Sequence, residues 1–168
     1  IHANGASLCR KVAEALPDDY RTTMQNGRMF GEAVLDPTVI YVPVMRECAR
    51  HNIHLHYSSH ITGHGWRKLM RARRELRYVL HAVPPVGPLF RFLSDRAGLE
   101  PAEAYGSLNM GAGFAVYCPP ASAARVVDIA AGHGIDGWVA GEVRQGPREV
   151  IIEPLGLAFG SASLAVRA

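Results

Sequence analysis

The sequence predicts one α/β domain of the α+β kind, a mainly antiparallel mixed sheet covered by helices. Segments with helical spacing alternate along the chain with short apolar or alternating runs, the pattern of a layered sheet-and-helix fold. The 168 residues suit one domain of ordinary size, and no repeat, low-complexity tract or long linker interrupts them. A 48% hydrophobic and 20% charged composition excludes disorder, collagen and coiled coil for the chain as a whole.

Taken in order, Asn4-Gly5 signals a turn, and Leu8, Val12, Ala15 and Leu16 then mark one helical face, with Ser7 as N-cap and Pro17 as stop. Residues 18–27 read as loop. Asp36-Pro37 combines an acidic cap with a proline at the first helical position, so a helix is expected from there to about Arg50, with Ile40, Val44, Met45 and Cys48 on one side. Residues 53–58 alternate as a strand, and 66–73 read as a helix behind Gly63 and Gly65. Residues 76–83 form a second expected strand, 89–97 a helix stopped by Gly98, and 100–105 a short helical turn. A strand at 111–118 ends at Pro119-Pro120, and a helix at 121–131 stops at Gly132. Strands at 138–143 and 149–152 are expected to pair as a hairpin across Gly146-Pro147. The apolar tail beyond residue 154 has no assigned part.

Charge and cysteine content narrow the function. A net charge of +3 is too mild to advertise a nucleic-acid binder. The arginine-rich stretch 67–77, with Trp66 beside it, reads as an exposed helix face rather than a single-strand-binding patch. No stretch approaches the ~18 uninterrupted apolar residues of a membrane span, and no signal segment opens the chain. Cys9, Cys48 and Cys118 are sparse, unpaired in pattern and set in apolar runs, so they are expected to be reduced and structural, in a cytoplasmic setting. The chain begins at Ile1 rather than Met, as a processed product or an excised piece would.

Four segments place small residues beside polar ones where packing alone would not ask for them: residues 2–5, 32–38, 60–65 and 109–113. In His60-Ile61-Thr62-Gly63-His64-Gly65, two glycines feed an expected helix whose first amides are free donors, an arrangement suited to phosphate or carboxylate. No Gly-Lys-Ser/Thr follows, so it is not a P-loop, and there is no third glycine for a dinucleotide fingerprint. The alternative is a tight structural turn. His51, His54, His56, His60 and His64 are dense, but no Cys or acidic residue lies among them, and no metal site is expected in this chain. No Ser-His-Asp or Cys-His arrangement is present.

Together these segments resemble the C-terminal domain of the aminoimidazole ribonucleotide synthetase family, the phosphoribosylformylglycinamidine cyclo-ligases. The family's His-Ser-Asn-Gly-like turn appears as His2-Ala3-Asn4-Gly5, and its Pro-Thr-x-Ile-Tyr-Val motif as Pro37-Thr38-Val39-Ile40-Tyr41-Val42. His-Ile-Thr-Gly-Gly-Gly appears as residues 60–65, and Met-Tyr-x-x-Phe-Asn-x-Gly-x-Gly as Ala104-Tyr105-Gly106-Ser107-Leu108-Asn109-Met110-Gly111-Ala112-Gly113. Ala-Trp-x-Ile-Gly-x-Val appears as Gly137-Trp138-Val139-Ala140-Gly141-Glu142-Val143. The resemblance runs in order from residue 1 to 153, leaving 154–168 as an extension. Ala3, His64 and Leu108 depart from the family pattern, which normally has a hydroxyl residue, glycine and phenylalanine there.

The resemblance implies the C-terminal part of a purine-biosynthesis ligase. ATP phosphorylates the amide oxygen of formylglycinamidine ribonucleotide, an amine attacks the activated carbon, and phosphate leaves. The expected partners are ATP, a phosphorylated small-molecule substrate and an N-terminal domain that this chain does not contain. That domain would hold the Mg²⁺ ligands and build most of a homodimer, so the isolated chain is expected to be inactive. His60 is the implied catalytic side chain. Asn4, Gly5, Thr62, Gly63, Gly65, Asn109, Gly111 and Gly113 are the implied substrate- or phosphate-binding positions. His64 is expected to point away from the cleft, and a side chain at Gly65 to weaken phosphate binding far more than stability. The alternatives are a superfamily member with another substrate, acting as an ATP-dependent kinase or synthetase, and a non-catalytic anion-binding or assembly module.

Overall fold

A computed structural model describes residue 1 and residues 5–164. The helices are α1 (Ala6–Glu14), α2 (Phe30–Val34), α3 (Val42–Arg50), α4 (Pro88–Ala97), α5 (Pro101–Ser107) and α6 (Pro120–Gly132). The strands are β1 (Tyr57–His60), β2 (Leu76–Leu80), β3 (Phe114–Tyr117), β4 (Gly141–Gln145), β5 (Glu149–Ile152) and β6 (Leu157–Gly160). This is the expected mixed α/β architecture with mostly antiparallel pairing. The strands form two sheets rather than one: β1 with β3, and the four-stranded order β4-β2-β5-β6.

The chain folds as two compact units, the first from residues 1–39, 61–68 and 84–113, the second from 40–60, 69–83 and 114 onward. All the strands belong to the second unit. In the first, α1 buries Cys9, Val12 and Ala13, an i, i+3, i+4 stripe, against Phe30 and Ala33 of α2 and Phe92 and Leu93 of α4. The Phe30 ring is fully buried, stacks on Tyr20 at 5.6 Å and tilts against Phe92 at 5.1 Å. Burying one such side chain is worth about 1.5–3 kcal/mol. In the second unit, Val44 and Cys48 of α3 meet Ile129 and Ala130 of α6. Tyr78, Leu80, Val150 and Ile152 are buried on one face of the larger sheet.

Several boundaries differ from expectation for identifiable reasons. α1 is capped by Gly5 at φ 100°, so Ser7 lies inside the helix. The helix expected from Asp36 begins only at Val42. Pro43 would sit in the interior of that longer helix and remove a backbone hydrogen bond, so the helix starts where Pro43 falls in its first turn. The Asp36 carboxylate is instead held by both Arg28 amino groups at 2.8 and 2.9 Å. The first strand is displaced to 57–60 because Ile53 N–H still donates to Cys48 O, closing α3 through Asn52 at φ 53°. Residues 65–70 form a 3-10 turn instead of an α-helix.

The expected β4–β5 hairpin is absent, because β2 lies between the two strands. It pairs antiparallel with β4 (Leu76 opposite Gln145) and parallel with β5 (Arg77 opposite Glu149). The tail supplies β6, which pairs antiparallel with β5 after a turn at Gly156 (φ 62°). No helix among the described residues is long and apolar enough to cross a membrane.

Candidate functional site

The first unit brings two of the sequence-predicted loops together. The loop after β1 is tied down by the Ile61 amide, which donates to the Gly113 carbonyl at 2.9 Å. Trp66, 2% exposed, donates its Nε1–H to the Asn109 carbonyl at 2.8 Å and stands edge-on to Tyr105 at 5.1 Å. Asn109 is itself buried. Its Oδ1 accepts the Gly111 amide at 3.0 Å, a local turn that carries the chain through Met110 at φ 47° and Gly111 at φ 99°. Gly111 packs against Pro84 and Pro85. Gly5 joins this group, since a Cβ built there would lie 3.6 Å from the Leu108 side chain. Asn4 lies outside the described residues.

The two loop glycines have opposite surroundings. Gly65 adopts φ 50°, and a Cβ on it would run into the Tyr105 carbonyl and lie 2.8 Å from both Leu108 O and Ser107 N. Its amide is already spent on the Thr62 carbonyl at 2.9 Å. The space beside Gly65 is therefore filled by the protein's own backbone, and the expectation that a side chain there would chiefly weaken binding is corrected: it would first break the packing. Gly63 is the open position, with nothing within 4 Å of an added Cβ.

His64 stands between them at φ 76°, a left-handed backbone that favours glycine. The Arg67 guanidinium donates to its carbonyl at 3.2 Å, fixing the turn from outside. The partly buried Thr62 hydroxyl accepts a hydrogen bond from the Lys68 ammonium. Lys68 was legible in the sequence only as one cation of an exposed face. The structure folds it back over the loop, so a cation, a hydroxyl and an open stretch of backbone at Gly63 share one place. That combination favours an anion.

His60 belongs to the second unit as the last residue of β1. It is exposed, with Tyr41 edge-on at 5.9 Å and Phe114 at 6.1 Å, while Tyr41 stacks on Phe114 at 4.8 Å. Burial pushes the Tyr41 hydroxyl pKa above its ordinary value. His54 and His56 meet as a ring pair at 4.9 Å. Among the described residues no three His, Cys, Asp or Glu side chains gather closely enough to hold a metal ion. All three cysteines are free thiols.

Residues 1–153 match the family described as AIR synthase related protein, C-terminal domain. The chain is 32% identical over 144 residues to a phosphoribosylformylglycinamidine cyclo-ligase of Methanococcus maripaludis, an alignment covering 85% of this chain and 41% of that protein. It is 31% identical over 158 residues to the enzyme of that name from Rippkaea orientalis, covering 91% and 46%. The Methanopyrus kandleri cyclo-ligase is 34% identical over 152 residues, covering 90% and 43%. The chain thus spans less than half the length of these relatives.

Proposed function

The chain belongs to the AIR synthase related proteins as their C-terminal domain, and from that premise we propose that it is the phosphate-holding half of an ATP-dependent cyclo-ligase-like enzyme. In the proposed reaction ATP transfers its terminal phosphoryl group to the amide oxygen of formylglycinamidine ribonucleotide. An amine of the same molecule attacks the activated carbon, the carbon–oxygen bond breaks, and inorganic phosphate leaves with aminoimidazole ribonucleotide as product. Such a transfer depends on positioning and on donors that spread charge over phosphoryl oxygens.

The observation that carries this reading is the meeting of Lys68 with Thr62 beside the open Gly63. In the proposed complex, the Lys68 ammonium and Thr62 hydroxyl donate to a phosphoryl oxygen. Gly63 lets the backbone approach, and Trp66 and Asn109 hold the loop in place through their mutual hydrogen bond. His60 is proposed as the proton-carrying side chain. In this reading the Mg²⁺ ligands lie on an N-terminal domain, as the resemblance implies. Turnover is assigned to the longer protein, in which an N-terminal domain completes the site.

Calorimetric titration with ATP and with a ribose 5-phosphate ester tests the reading. Binding by the chain should fall about tenfold in Lys68→Met and about fivefold in Thr62→Val, with no ATP turnover in either background. Equal affinities for parent and variants would overturn it. A second reading, a relative acting on another phosphorylated substrate, is favoured by His64, whose ring stands where the family has glycine, next to the open Gly63.

A further inference from the structure

The arginine-rich stretch is not the helix face that its sequence suggests. The 3-10 turn ends at Met70, and residues 71–75 run on as a bend before β2. A helix would set Arg71 and Arg73 about 200° apart around its axis, whereas the bend gathers Arg71, Arg73 and Arg74 in one short loop. All three are exposed, and their side chains make no hydrogen bond or ion pair among the described residues. Neighbouring cations differ: Arg77 is paired with Glu149 at 2.6 Å and Arg144 with Glu142, so those charges are already matched. The loop is fixed by Arg148, which donates from Nε to the Met70 carbonyl at 2.8 Å and from Nη2 to the Arg71 carbonyl at 3.4 Å. The Arg148 amide in turn donates to the Glu75 carboxylate at 3.2 Å. Glu75 is thus the acidic side chain at the loop, set against four arginines.

An aromatic file lies beside them. Tyr78, buried in β2, stands edge-on to Tyr117 of β3 at 5.6 Å, and Tyr117 tilts against Tyr57 of β1 at 5.7 Å. Tyr57, at 38% exposure, is the end that reaches solvent. Burial raises the Tyr78 hydroxyl pKa while Arg148 and Arg74 oppose the rise, which puts both cations near the file.

The cations of the loop are all arginine. A guanidinium grips phosphate oxygens through paired N–H groups and stacks on planar rings, as an ammonium does not. Unmatched guanidinium groups beside an exposed ring suit a chain that repeats phosphate and planar base, whereas a carboxylate-rich peptide would leave the ring unused. We infer that the 71–75 loop and Tyr57 form a docking surface for single-stranded nucleic acid, with phosphates on Arg71, Arg73 and Arg74 and a base stacked on Tyr57. The mild net charge of +3 is no obstacle, because the electrostatic footprint is local. None of these residues belongs to the phosphate site proposed at Thr62, Gly63 and Lys68, so either reading can fail without the other.

Fluorescence anisotropy of a labelled oligouridylate of about 12 nucleotides, titrated with the 168-residue chain, tests this. A dissociation constant of about 10 μM is expected at about 50 mM salt, weakening about twentyfold by about 200 mM as three phosphate contacts require. Arg73→Glu or Arg74→Glu should each weaken binding about tenfold, and Tyr57→Ala about fivefold, while Tyr57→Phe keeps the ring and the affinity. Arg46→Glu, the same charge change on an exposed position of α3, should alter it by less than about twofold. No binding at low salt, equal losses from Arg46→Glu and Arg73→Glu, or parental affinity in Tyr57→Ala overturns the inference. So does a polyglutamate peptide that competes as well as unlabelled oligouridylate, which would assign the loop to acidic proteins.

Discussion

The indole N–H of Trp66 donates to the backbone carbonyl of Asn109 at 2.8 Å, across 43 positions of sequence. That bond fastens one glycine-containing loop to another, and Gly65 next to it closes the seam by letting backbone meet backbone. The seam is structural, and the open part of the loop lies two residues earlier.

Gly65→Ala should therefore cost about 2–4 kcal/mol of stability, from the positive φ and from backbone that cannot move aside. Trp66→Phe, which keeps an aromatic ring but removes part of the buried indole and leaves the Asn109 carbonyl without its donor, should cost about 1–3 kcal/mol. Urea unfolding of the two variants checks both figures. A Gly65→Ala protein as stable as its parent would contradict the packing described.

His64→Gly should act in the opposite direction. A left-handed backbone costs a residue with a Cβ about 1–2 kcal/mol, and the freedom glycine adds to the unfolded chain returns about 0.4–1 kcal/mol of that. The net expectation is a gain of about 0.5–1 kcal/mol, read as a higher urea midpoint. A lower midpoint would mean that the His64 ring makes a contact worth more than its strain.

Stability should carry a pH signature at His81. Its Nδ1 lies 2.6 Å from a Glu153 carboxylate oxygen and its Nε2 3.4 Å from Glu142. These two carboxylates raise the imidazole pKa above its ordinary 6.5, Glu153 most. Because the folded value is the higher one, the contribution is fully present below pH 6.5 and fades as pH rises through the folded value. The melting-temperature gap between the parent and His81→Gln should thus be wider at pH 6 than at pH 9. A gap independent of pH would show that the imidazolium adds nothing.

The thiols should differ in reactivity. Burial pushes Cys9 up to about 11 and raises Cys48 and Cys118 as well, so little thiolate is present at neutral pH. Cys9 and Cys48 are buried and Cys118 only partly so. Titration with an aromatic disulfide reagent should find three thiols in denaturant, and in the native protein Cys118 reacting first. A native protein with fewer than three thiols after unfolding would contradict this.

Much of the architecture was legible from local signals. Gly98 stops α4 in a left-handed conformation, Glu100 precedes α5, and α6 ends at Gly132, all near where the glycine and proline punctuation put them. Non-local pairing was not legible. Nothing in the stretch around Gly146-Pro147 says that β2, some sixty residues earlier, will sit between β4 and β5, and the small residues of β6 carry little alternation. At the candidate site, the glycines marked two loops that the structure brings together, but sequence cannot tell Gly63, which is open, from Gly65, which is filled. Lys68 was hidden by the helix expected at 66–73. A 3-10 turn advances about 120° per residue instead of 100°, which changes the face that a side chain two or three positions in will share.

The most direct test of the anion site is a titration of the isotope-labelled chain with inorganic phosphate, followed by amide resonances. The amides of Thr62 and Gly63 and the side chain of Lys68 should shift together and saturably, with Gly65 and Gly111 moving little because their amides are already bonded within the protein. Lys68→Met should abolish the shifts at Gly63. Shifts spread evenly over the arginine-bearing surface, or none at residues 62–63, would contradict a phosphate-holding loop and with it the proposed role of this chain.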